Sequence, residues 1–161
     1  MARTAPRPLL GLFAGIAAGV VASAAMAAFQ SAAARFVPAD GSDEDPATVK
    51  AADRVSEAAT GKPIAEPHRA AAGQAVHFLV GAALGGAYGV LAEYQPATRR
   101  GFGGAYGLVT SMVLDETAVP VAGLGAAPWQ ASLASHGYGL ASHMVYGIAL
   151  EGARTLLAGR R

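Results

Sequence analysis

Six polar side chains sit inside otherwise apolar stretches of this chain: Gln74, His77, Asp115, Glu116, His136 and His143. Ionisable groups are expensive in an apolar medium, so these are the first places to look for chemistry. Histidine changes charge near neutrality, so an imidazole beside a carboxylate can pass a proton or respond to an ion. Two histidines with one carboxylate can hold a divalent metal, which makes His77, His136 and His143 the candidate ligands. Two histidines at matched depth on neighbouring helices can ligate haem axially. The plainer alternative is that these groups hydrogen-bond to one another and hold helices together, at about 0.6–2 kcal/mol per contact. Asp115 and Glu116 have a further plain reading, as the end of a helix facing water. Glu93 and Glu151 lie near segment ends, where a headgroup position is cheap.

Which chemistry is open depends on the elements that carry these residues. Four apolar segments are expected as helices, over residues 9–33, 70–94, 101–118 and 129–157. Each carries small residues four apart. The first has Gly11, Gly15, Gly19 and Ser23, and the second Gly81, Gly85 and Gly89. The third has Gly103, Gly107 and Ser111. The fourth has Ser135, Gly139 and Gly147, with Glu151 on the same face. Four-residue spacing lines one helix face with bare backbone, which is how helices associate inside a bilayer. A short repeat, Gly85-Gly86-Ala87-Tyr88-Gly89 and Gly103-Gly104-Ala105-Tyr106-Gly107, fits the same packing use.

Composition agrees. The chain has 161 residues, 53% of them apolar and only 14% charged, with 21 glycines. In a soluble helix each glycine costs about 1 kcal/mol against alanine. A net charge of +1 offers no field for nucleic acid. There is no cysteine, which excludes disulfides, thiolate metal sites and cysteine nucleophiles. Arg3 and Arg7 before the apolar stretch from Leu9 resemble a signal peptide. At about 20 residues that stretch has spanning length instead, and a retained helix is expected.

Between the first two apolar segments lies a polar stretch, residues 38–69. It opens with Asp40, Asp43, Glu44 and Asp45 after Val37 and Pro38. Asp45 as N-cap and Pro46 at the first helical position would start a short amphipathic helix, Ala47–Thr60, closed by Gly61. Pro63 and Pro67 are expected to keep the chain irregular as far as Ala70. Trp129 is placed as an interfacial anchor. Basic residues cluster in the termini (Arg3, Arg7, Arg154, Arg160, Arg161) and in the turn at Arg99-Arg100, while the loop from Pro120 to Pro128 carries no charge. The positive-inside rule then puts both termini in the cytoplasm.

With these boundaries, His77 and His136 each lie seven residues into a descending helix, about 10 Å deep. Asp115 lies about 9 Å below the same surface of a ~30 Å core. Three ionisable groups on three helices thus share one layer, and Tyr88, Tyr106 and Tyr146 share another. No dinucleotide fingerprint, phosphate loop, metalloprotease helix or nucleophile elbow is present. Ser132, Ser135 and Ser142, near His136 and His143, read as small packing residues.

From Gln74 to Arg161 the chain resembles the YagU-like family of bacterial inner-membrane proteins. The resemblance is carried by His77, Tyr88, Ala92-Glu93 and Pro96 at their spacing, by Ser142-His143 through Glu151, and by Pro120 with Gly123-Leu124. It implies a four-helix membrane protein of unassigned activity with a link to acid tolerance. This chain is richer in Gly and Ala, and Asp115 stands where the family has a histidine. The resemblance favours His143 as the partner of His77, whereas the depth estimate favours His136.

The sequence therefore predicts an all-α, integral membrane four-helix bundle with a short amphipathic extramembrane helix. It forms a single membrane domain, 1–161, in the bacterial inner membrane with both termini cytoplasmic. The expected role is non-enzymatic: a proton- or ion-responsive element, or an accessory subunit of a membrane complex. The alternatives are a haem- or divalent-metal-binding subunit and a purely structural packing subunit. Expected partners are the lipid bilayer and a second copy or other membrane subunits; no cofactor is required by the leading reading.

Overall fold

A computed structural model describes residues 5–36 and 45–159. Arg3, Val37, Pro38, Asp40, Asp43, Glu44, Arg160 and Arg161 lie outside the described residues. Five helices carry the architecture: α1 Pro8–Ala33, α2 Ala47–Thr60, α3 Glu66–Tyr94, α4 Gly104–Val113 and α5 Leu133–Ala158. Among the described residues there is no strand, so the all-α expectation holds. α1 and α3 are long and apolar enough to cross a membrane, with mean hydropathies of 2.1 and 1.6.

Four helix starts differ from the sequence expectation, each for a local reason; the third apolar helix begins at Gly104 and not at residue 101, because Gly101 and Gly103 take left-handed φ of 60° and 83°. Proline in a first helical turn sacrifices no hydrogen bond, because that N–H has no intrahelical partner. Pro67 therefore helps to start α3 at Glu66 instead of breaking the chain before Ala70. The same logic places Pro8 at the start of α1. At the other end of the chain, Pro128–Gln130 forms a separate 3₁₀ turn. Ser132 then caps α5, its hydroxyl accepting the Ser135 N–H at 3.1 Å. The fourth long helix thus begins at Leu133, not Trp129, and Trp129 stands 85% exposed. α2 has its expected span, with Gly61 closing it at φ 75°, but its N-cap is Pro46, with no side-chain cap from Asp45.

α4 also runs on beyond its α-helical part. It continues through a π turn, Leu114–Ala118, and a last α turn, Val119–Val121. Pro120 has no N–H to give the Glu116 carbonyl, and the Val119 N–H reaches back to Leu114.

Two antiparallel seams order the bundle. On α1 and α3, Gly11 faces Gly89, Gly15 faces Gly85 and Gly19 faces Gly81. A methyl group on Gly85 would stand 2.6 Å from the Gly19 Cα. Only hydrogen fits there. One turn further on, the seam ends where His77 Nε2 meets the Ser23 carbonyl at 3.2 Å. On α4 and α5, Gly103 faces Gly147 and Gly107 faces the His143 backbone. A Cβ on Gly147 would lie 2.9 Å from the Gly107 nitrogen. Gly139 serves differently: it makes room for the Asp115 carboxylate, not for a helix backbone.

α1 also packs on α5, and α2 on α3. The α3 and α5 backbones are not close-packed; Tyr88, Tyr146 and Leu150 are buried between them, and the two tyrosine hydroxyls bond across. The outward faces are the reverse of a soluble protein's. Phe13 and Val21 on α1, Leu79 on α3, Val109 and Val113 on α4 and Leu156 on α5 are all exposed.

The seams make a direct prediction. Gly85→Val drives a side chain into the α1 backbone and lowers stability by about 1–3 kcal/mol or more, the usual cost of overpacking. Gly137→Ala, where nothing lies within 4 Å, leaves stability unchanged or slightly higher. Unfolding of both variants in the same detergent, followed by circular dichroism, checks the contrast.

Candidate functional site

The polar residues singled out in the sequence fall into two separate groups. The observed helix starts explain the division. His77 lies eleven residues past Glu66, and His143 ten past Leu133, so both sit roughly 15 Å along their helices. His136 lies only three residues into α5. It is His143, therefore, that is level with His77, and the depth estimate that favoured His136 rested on too early a helix start.

The π turn decides where the two carboxylates go. It widens the helix locally, so that consecutive residues Asp115 and Glu116 both reach α5. Asp115 Oδ1 accepts from His143 Nε2 at 3.2 Å, and Oδ2 accepts from the Ser111 hydroxyl at 3.1 Å. Glu116 Oε1 lies 2.7 Å from His136 Nδ1, while His136 Nε2 faces the Pro128 carbonyl at 3.1 Å. Asp115 and Glu116 thus have side-chain partners and do not simply end a helix in water.

His77, Gln74, Asp115 and His143 line one cleft of about 890 Å³. His136 and Glu116 line a separate pocket of about 130 Å³, with Asp115 in the wall between the two. His143 is buried, and its Nδ1 has no hydrogen-bond partner; nor has the Oγ of neighbouring Ser142.

α2 roofs the cleft and is strapped on both sides. Towards α3, Arg69 binds Asp45 at 2.6 Å, Asp53 at 2.6 Å and Glu66 at 3.1 Å. Asp53 also accepts the Ile64 N–H at 3.0 Å. That backbone bond first, and then Arg69, hold the Asp53 carboxyl below its ordinary value. Towards the end of the α4 extension, the Arg54 guanidinium grips the Ala122 and Gly123 carbonyls. Those are free carbonyls at a helix C-terminus, where a cation is favourable. Val49 sits over Gly73, which seats α2 on α3.

A second polar cluster was not singled out in the sequence. Glu151 is 5% exposed and Arg154 2% exposed, so both are buried inside the bundle. Arg154 Nε and Nη2 bind the two oxygens of Glu151 at 2.7 and 3.0 Å. The Tyr88 hydroxyl donates to Glu151 at 2.8 Å. The signal was present: Glu151 continues the Gly147 face by one turn, and that face points into the bundle. The expected tyrosine layer surrounds this pair. Tyr88 and Tyr106 rings lie 4.8 Å apart, Tyr106 donates to the Leu84 carbonyl, and Tyr146 donates to the Gly81 carbonyl. Nearby, the Arg7 N–H donates to Glu93 at 2.7 Å and its guanidinium to the Ala158 carbonyl at 3.1 Å.

Chemically, the Asp115–His143 pair can exchange a proton or stabilise a positive charge in the cleft. Among the described residues no three His, Asp or Glu side chains converge as a metal set. No family model, curated protein or solved structure matches the chain.

The Glu151–Arg154 pair makes its own prediction. Arg154→Met strands a buried carboxylate and costs on the order of 3–5 kcal/mol. The double variant Glu151→Leu with Arg154→Met removes both charges and recovers most of that loss. Comparing thermal unfolding of the single and double variants tests this.

Proposed function

We propose that the chain is a small polytopic membrane protein that carries a proton- or ion-responsive site at Asp115 and His143. Four long helices cross the bilayer in this reading: α1, α3, α4 with its extension, and α5. Two features support it together. The helices meet through bare backbone, and their large apolar side chains face outward. Such a molecule would be poorly solvated by water and well solvated by lipid.

The orientation proposed is both termini in the cytoplasm of a bacterial inner membrane, with α2 on the far side. Arg7, Arg99 and Arg100 lie towards one end, and the loop after Val121 has no charge. Arg154 drops out of that count, because it is buried against Glu151 and not displayed to a membrane surface.

The observation that carries the functional part is the Asp115–His143 contact at 3.2 Å, in a cleft also lined by His77. An ionisable pair at membrane depth is a costly feature, and proton or ion handling accounts for it. The YagU-like resemblance, with its acid-tolerance link, points the same way. No catalytic residue is assigned.

Topology is testable directly, since the chain has no cysteine of its own. In intact bacterial cells, Ala58→Cys on α2 reacts with an impermeant maleimide, and Ala97→Cys reacts only after lysis. Equal labelling of both sites in intact cells would contradict the proposed crossing pattern.

The site is tested by infrared difference spectroscopy of the purified protein between acid and neutral pH. Subtracting the Asp115→Asn spectrum from that of wild type leaves one protonated-carboxyl component on acidification, and this component is altered in His143→Gln. Spectra of wild type and Asp115→Asn that superimpose would exclude Asp115 as the responsive group.

A further inference from the structure

We infer that the cleft beneath α2 is a binding site for a lipophilic organic cation. This rests on reading the chain as membrane-spanning with a responsive site at Asp115, and it names what occupies the space beside that side chain.

The shape comes first. At about 890 Å³ the cleft lies within the ~300–1,000 Å³ of small-molecule sites. α3 and α4 are not a close-packed pair. They are joined where the Tyr106 ring meets the Tyr88 ring at a tilt of 58° and its hydroxyl bonds the Leu84 carbonyl. On the α2 side of that joint the cleft is lined by residues of α1, α2, α3, the α4 extension and α5. Its walls are largely apolar and include Met26, Val80, Leu84, Leu114 and Val119. An occupant that loses little on leaving water suits such walls.

Charge selects the sign. The lining contains three carboxylates, Asp45, Glu66 and Asp115, and one permanent cation, Arg69. Arg69 is already bound by Asp45, Glu66 and Asp53, so that cluster keeps an excess of negative charge. Two cations on α2 are not among the lining residues: Arg54, which is aimed at the Ala122 and Gly123 carbonyls, and Lys50. Among the described residues Asp115 is paired with no arginine or lysine; its side-chain partners are the Ser111 hydroxyl and the His143 imidazole. Its two donors stand at 3.1 and 3.2 Å, longer than the ~2.7–2.9 Å of a charge-assisted bond. A carboxylate accepts about four donors, so capacity remains. A bulky, weakly hydrated cation supplies the missing charge without needing a converging ligand set.

The test uses tetraphenylphosphonium and the full chain in nanodiscs of neutral lipid, read by equilibrium dialysis against empty discs. Saturable, stoichiometric binding is expected. Asp115→Asn weakens it by about tenfold or more, the loss expected on removing one partner of a buried charge pair. Asp115→Glu, which restores the charge, binds more tightly than Asp115→Asn. Glu116→Gln, whose carboxylate faces His136 instead, leaves affinity essentially unchanged. Uncharged triphenylphosphine oxide does not compete. Binding no greater than to empty discs overturns the inference. So does Asp115→Asn binding as well as wild type in a monodisperse preparation, or equal competition by the neutral analogue. If the probe fails to bind while the Asp115 infrared band persists, the cation inference falls and the proton-site reading stands.

Discussion

The rest of this structure depends on the contact of one peptide backbone with another. Along α1 and α3, glycine meets glycine at three successive turns, and no methyl group fits between them. The α4–α5 seam repeats the arrangement with Gly103, Gly107 and Gly147. Dispersion between backbones at such short range is a sum of many small attractions. It also places every other side chain. With the seams closed, tyrosines must fill the wider space near α3 and α5, and the large aliphatic groups can only point outward.

Each seam also delivers a histidine to the cleft. The α1–α3 seam ends at the Ser23 carbonyl and the His77 ring, and the α4–α5 seam passes Gly107 over the His143 backbone. The glycines and the histidines are therefore one design on each helix pair. The close approach holds the two helices at fixed register, and the register holds the rings. Only Asp115 depends on something more local, the π turn that swings it on to α5.

Much of this was legible in the sequence. The four-residue ladders named the seam glycines because spacing of four is a property of any α-helix. α2 was legible to the residue at its C-terminus, where Gly61 marks a left-handed cap. The choice between His136 and His143 was not legible. It turned on where α5 begins, and that start is set by Ser132 and a 3₁₀ turn whose apolar residues look like helix. The π turn was equally hidden, since it arises from Pro120 acting backwards on residues already assigned to a regular helix. The Glu151–Arg154 pair was hidden for a different reason. A cation among other basic residues gives no sign of its partner until Glu151, three residues earlier, is seen to face inward.

The antiparallel seams also constrain how the molecule is made. During synthesis α1 emerges first, yet its glycine face has no mate until α3 is complete at Tyr94. α4 likewise waits for residue 147 of α5; the bond from the Arg7 N–H to the Glu93 carboxylate is available once α3 is made, and the Arg7 clasp on Ala158 closes last. For most of translation the nascent chain therefore displays an unmated strip of bare backbone. Assembly is a race between the ribosome supplying the cognate helix and any other small-residue helix nearby capturing that strip.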